Sequence, residues 1–121
     1  MTRVLLAVAF VGFAAGVSVS AHHSYSAYDT GRLMEVQGVL EEFVWVAPHS
    51  LIKVKDEDGR LYIFEWQAPF SLQRRGIQED TLKKGDHLVL TGNPHRGFEE
   101  NRILNFKSVK RPADGWKWPN W

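Results

Sequence analysis

His22 and His23 are the residues of this chain best placed to do chemistry. They follow directly on Val19-Ser20-Ala21, small or modest side chains that close an apolar segment. If the chain is cut after Ala21, His22 becomes the first residue. Its α-amine and one ring nitrogen can then grip the same metal ion. The amine titrates near ~8, so a metal can displace its proton at neutral pH. Copper(II) favours nitrogen ligands in square geometry and stands at the top of the divalent affinity order. His49, after Pro48 at an expected strand end, is the first choice for a third nitrogen. His95, in the loop Asn93-Pro94-His95-Arg96-Gly97, is the weaker one. A cut after Ser20 would instead put His23 third. An amine, two deprotonated amides and an imidazole then wrap copper or nickel without help from a fold. The plain alternative is a pair of solvated histidines, since short motifs often match by chance.

The amine-and-imidazole arrangement resembles, in this local element only, the histidine brace of copper monooxygenases and periplasmic copper carriers. Asp29 is a candidate to orient a ring of His22 or His23 from behind. Before Thr30-Gly31 the favoured reading is a plain turn residue.

The segment in front of these histidines has the three parts of a secretory leader. Arg3 is the positive start, the run from Val4 to Val19 carries no charge, and small residues end it. The run is shorter than the roughly 20 residues of a spanning helix, so residues 1–21 read as a cleaved signal peptide. A periplasmic or secreted product of about 100 residues follows, enough for one small domain. Without Arg3 the remaining basic residues balance the 14 acidic ones. A neutral, exported chain argues against nucleic acid and against a broad anionic-membrane surface. With no cysteine there is no disulfide framework, and stability must come from packing.

The elements that must position the histidines are strands. Residues 22–32 read as an extended polar arm and 33–111 as a barrel. Leu33 to Val46 alternates with Met34, Val36, Gly38 and Leu40 on one parity. The alternation slips at Glu41-Glu42, which suggests a bulge, and Gly38 suggests a bend. Asp58-Gly59 between 50–55 and 61–67 marks a hairpin. Residues 68–76 suit a short helix with Phe70 and Leu72 inward and Gly76 at its end. His87 to Thr91 and Arg102 to Lys110 are further strands, with a loop over 92–97. Residues 112–121 form a Trp- and Pro-rich tail. Three strands, a short helix and two strands give the order of an OB-like, all-β, five-stranded barrel. A small SH3-like barrel is the main alternative.

Three segments together resemble a family of small exported bacterial proteins known only as domain of unknown function 6152. The first is His22, His23, Ser24, Tyr28 and Asp29 behind the leader. The second is Trp45, Pro48 and His49. The third is Gly85, Asp86, Gly92 and Pro94. The resemblance spans the expected mature chain. It implies an exported single domain and no particular activity. Ala47 stands where the family pattern has Asn, which removes a side-chain amide from that position.

Other groupings carry less. Trp45, Tyr62, Phe64 and Trp66 could line an aromatic binding face for an envelope glycan or protein partner. Alternating aromatics more often pack inward. Trp116, Trp118 and Trp121 could cap a barrel end or present a patch. Arg74-Arg75 could hold an anion or simply solvate a helix face. Glu41-Glu42 and Glu99-Glu100 point to opposite faces of a strand and make poor acid/base pairs. Asp56, Glu57 and Asp58 lack the ligand spacing of a calcium loop. Ser24 and Ser50 adjoin histidines, but adjacency in sequence is no catalytic dyad. The reading is a small binding protein with copper as its possible ligand. The alternative is a metal-free interaction module, and a redox enzyme ranks behind both.

Overall fold

The computed structural model of the protein describes residues 26–97 and 101–120. His22 and His23 lie outside the described residues. Six strands and one short helix follow in order. They are β1 (Met34–Val44), β2 (Leu51–Lys55), β3 (Leu61–Glu65), α1 (Pro69–Gln73), β4 (His87–Pro94), β5 (Ile103–Arg111) and β6 (Trp116–Trp118). The hydrogen-bonded order is β3-β2-β1-β4-β5-β6, and β3 also pairs with β5. That second pairing closes β1 to β5 into a five-stranded barrel, and β6 hangs on β5 outside the ring.

The period-two pattern sets the inside of the barrel. Val36 and Leu40 of β1 and Leu88 and Leu90 of β4 are buried. So are Ile52 and Val54 of β2, Phe64 of β3, and Leu104, Phe106 and Val109 of β5. The slip at Glu41 is a bulge: the β1–β2 register shifts between Leu40 and Glu42. The Asp-Gly hairpin is closed by Asp56, whose Oδ1 accepts the N–H groups of Asp58 at 3.0 Å and Arg60 at 2.8 Å. Gly59 there has φ +79°.

Three expectations change. Phe70 does not point inward; it is 69% exposed while Leu72 is fully buried. Positions two apart on a helix are about 200° apart around its axis, so both could not face the core. The expected loop after Thr91 is strand as far as Pro94, paired with Leu104. Finally, the tail contributes β6, whose Trp118, Lys117 and Trp116 pair with Val109, Lys110 and Arg111. Arg111 anchors this end. Its NH1 donates to the Thr81 carbonyl at 2.7 Å and to Asp86 Oδ2 at 3.1 Å, and its Nε donates to Asp114. The Asp114 carboxyl is held below its ordinary range, first by the Arg111 hydrogen bond and then by the Trp116 N–H.

Gly92 lets β5 and β3 approach β4. A Cβ there would stand 2.6 Å from the Asn105 carbonyl oxygen, 3.0 Å from Leu104 Cβ and 3.1 Å from the Phe64 ring. Gly92→Ala is therefore expected to destabilise the fold by about 1–3 kcal/mol through overpacking. Urea unfolding should show a lower midpoint at unchanged m; an unmoved midpoint would contradict the close approach.

Candidate functional site

The cleft of this molecule opens where β5 changes partners. β5 pairs with β3 as far as Glu65–Asn105 and meets β6 only at Val109–Trp118. Residues 106–108 of that edge belong to neither ladder. A cleft of about 600 Å³ sits over the gap, within the range of about 300–1,000 Å³ common for small-molecule sites. One wall comes from Tyr28, His49 and Glu65; the floor comes from Trp66, Phe106 and Trp118.

His49 is placed by the residue after it. Ser50 donates its N–H to Gln67 O at 3.0 Å, and its own carbonyl accepts the Trp66 N–H at 2.8 Å. These two bonds continue the β2–β3 hairpin past its ladder and set His49 over the end of β3. The His49 ring places Nδ1 3.2 Å from the Trp66 carbonyl. A carbonyl only accepts, so Nδ1 is the donor. In the neutral ring, Nε2 then carries the lone pair. Nε2 lies 3.7 Å from Glu65 Oε1, with the two side chains 39% and 24% exposed.

Glu65 joins two partners. Its Oε2 accepts the Tyr28 hydroxyl, 37 residues away in sequence. Tyr28 is carried to the cleft by the arm, which forms a bridge with His95. Asp29 N–H donates to Pro94 O and Arg96 N–H to Ala27 O, both at 2.8 Å. The Tyr28 ring meets His95 edge-on at 5.2 Å. Burial, then the Glu65 hydrogen bond and the Glu65 charge, raise the Tyr28 hydroxyl above the ordinary 10.0. Tyr28 therefore stays a neutral donor toward the carboxylate.

A model of the family of unknown function DUF6152 matches residues 11–103, most of the chain. The chain belongs to DUF6152. No curated protein and no solved structure matches it. The family model thus spans the arm with Tyr28, the His49 turn and the end of β3, but stops short of β6 and Trp118.

The other residues singled out from this DUF6152 sequence fall in different places. His95 uses Nδ1 to accept the Gly97 N–H at 2.9 Å, so that nitrogen's lone pair is taken. Asp29 Oδ1 accepts the Gly31 N–H at 3.1 Å and lies 3.9 Å from Arg96 NH2, the turn geometry of its Asp-Thr-Gly setting. Trp45 is not in the cleft wall; it packs edge-on against Phe43 at 5.4 Å. Phe64 is core rather than an open face, and Trp66 is buried too, although it lines the cleft. Among the described residues, no group of three or more His, Asp or Glu is positioned to hold a metal by itself. His49 and Glu65 make a nitrogen–oxygen pair that would need further ligands.

Sequence reasoning passed over Glu65 as a site residue. The available signal was a carboxylate ending a strand face that otherwise carries Leu61 and Ile63. Replacing Tyr28 by Phe is expected to cost about 1.5–3 kcal/mol near neutral pH, the scale of a hydrogen bond to a charged acceptor. The folded-state value of Tyr28 is raised, so its contribution is complete below pH 10.0. It is lost as pH climbs above the unfolded value. Denaturation at stepped alkaline pH should show the wild-type advantage over Tyr28→Phe narrowing above pH 10; a constant gap would contradict the assignment.

Proposed function

We propose that the protein is an exported, OB-like binding protein that holds one copper ion between a histidine terminus and the mouth of its barrel. Cleavage after Ala21 would make His22 the first residue. Its amine and ring would supply two nitrogens and His49 Nε2 the third, with His23 beside them. The helix between β3 and β4 supports the OB-like reading, and the leader pattern supports export. Among the described residues, no helix is long and apolar enough to cross a membrane.

The observation that carries the proposal is the orientation of His49. Its Nδ1–H is spent on the Trp66 carbonyl, the arrangement that commonly orients a metal-bound imidazole through its other nitrogen. That leaves Nε2 for a ligand, with the Glu65 carboxylate at 3.7 Å to balance positive charge. Chain connectivity agrees. Tyr28, six residues after His22, lines the same cleft, so the terminus is tethered within about 20 Å of it. A second, metal-free reading has the cleft take an envelope glycan or protein partner. The partly exposed Trp118 on the cleft floor favours it.

Intact mass of protein purified from the periplasm, followed by copper titration of the same material, tests the metal reading. The expected result is a chain beginning at His22 that binds one copper equivalent. Adding a glycine before His22, or changing His49→Ala, should each weaken affinity at least about tenfold, the scale on which even outer-shell changes act. Unaltered affinity in both variants would sink the brace.

A further inference from the structure

We infer that the same cleft is a subsite for an acidic saccharide, a sugar ring bearing a carboxylate, with Arg74 and Arg75 taking the charge. The inference rests on the metal-free reading of the cleft and does not depend on copper.

The argument begins with where α1 ends. Pro69 starts the helix, which ends at Gln73, and the turn after it reaches Gly76 at φ +82°. Leu72 and Ile77 are buried against the barrel, so the turn between them is held in place. Arg74 and Arg75 lie in that turn and are exposed. They border a polar recess of about 580 Å³ together with Gln67 and Ser71. Gln67 and Ser71 also line the main cleft, so the recess adjoins the cleft.

The charges there are poised rather than paired. Arg60, Arg96 and Arg111 each lie within ion-pair distance of an aspartate. Among the described residues, neither Arg74 nor Arg75 has a carboxylate within that distance. They lie instead on aromatic rings, Arg74 5.7 Å from the centre of Phe70 and Arg75 6.0 Å from the centre of Trp118. A guanidinium over a ring face, within reach of a cation–π contact, keeps N–H donors free for a bidentate carboxylate. Lys107 adds a further positive charge to the cleft lining.

The body of the ligand follows from the rest of the cleft. Trp118 packs on Trp66 at 5.1 Å and on Phe106 at 5.7 Å, which gives the floor a rigid aromatic surface. Gln67, Asn105, Glu65 and His49 line the space above it. Amides, a carboxylate and an imidazole offer donors and acceptors together, as vicinal hydroxyls require. A lipid chain would leave these groups unpaired at a cost. A peptide strand would find only residues 106–108 of β5 unpaired between two ladders, fewer than the usual strand of about five or six. Glu65 is the one carboxylate lining the cleft among the described residues, at the Tyr28 end. The acid group of the sugar therefore points the other way, to the arginines.

Calorimetric titration of the full chain with tri-galacturonate, and with neutral maltotriose as control, tests this in a chelator so that metal plays no part. The expected result is binding of the acidic trisaccharide at least about tenfold tighter than the neutral one, the scale of one charge-assisted hydrogen bond. Arg75→Gln, on an exposed side chain whose loss leaves the core intact, should remove most of that preference. Trp118→Leu should weaken both sugars. Equal binding of the two sugars would overturn the acid specificity while leaving the cleft reading in place. No binding of either overturns both, and leaves the cleft to a peptide or protein partner. Undiminished preference in Arg75→Gln, or inorganic sulfate binding as tightly as the trisaccharide, also overturns the assignment.

Discussion

Three register pairs, Ile63 with Ile103, Phe64 with Leu104 and Glu65 with Asn105, turn a curved sheet into a barrel. Without this parallel contact, β3 and the first part of β5, before its pairing with β6, would be open edges, each a row of unpaired N–H and C=O groups. The contact needs a close approach, and β4 provides it at Gly92, where a side chain would meet Phe64, Leu104 and Asn105. Phe64 and Leu104 are completely buried, so closure and core formation are the same event. Stability in a chain with no cysteine must rest on such packing.

The functional surface is a consequence of where that pairing stops. β3 ends at Glu65 and the chain turns away through Trp66 to α1, while β5 runs on to meet β6. The gap between the two ladders becomes the cleft. Its polar wall is built from three distant segments: the arm brings Tyr28, the turn before β2 brings His49, and the end of β3 brings Glu65. Each is held by backbone hydrogen bonds rather than by side-chain chance. The arm is pinned to Pro94 and Arg96, and the His49 turn to Trp66 and Gln67. The carboxylate is thus fixed between a neutral phenol and an imidazole, and at its far end the cleft adjoins a recess bordered by arginines over aromatic rings. The two ends therefore have opposite charge character.

Much of the architecture was legible along the chain. Alternation in Val36 and Leu40 marks the inner face of β1. The slip at Glu41 marked a bulge, and Asp58-Gly59 marked the hairpin. These are local signals, because pleat and turn geometry act over a few residues. The misreadings were also local in form. Gly92-Asn93-Pro94 has the composition of a loop, yet it is strand, because β5 supplies partners that composition does not reveal. Trp116-Lys117-Trp118 is too short to announce itself as a strand; only the exposed edge of β5 makes it one.

By itself the sequence determined which face of β1 points inward, the places where the chain must turn at Asp58-Gly59 and bulge at Glu41, and the presence of a His49 with a strand break before it. Tertiary structure alone decided which strands meet. Pairing β3 with β5 joins residues about 40 apart, and its loop-closure cost is repaid only by burying complementary side chains from both. It also decided what the polar residues do. Glu65 is an ordinary strand-end carboxylate until closure brings β5 to its side and the arm sets the Tyr28 hydroxyl against it. Arg75 is an ordinary solvated side chain until β6 lays Trp118 beneath it. A local pattern specifies orientation, but a site needs groups from separate segments at fixed distances, and those distances exist only once the barrel has closed.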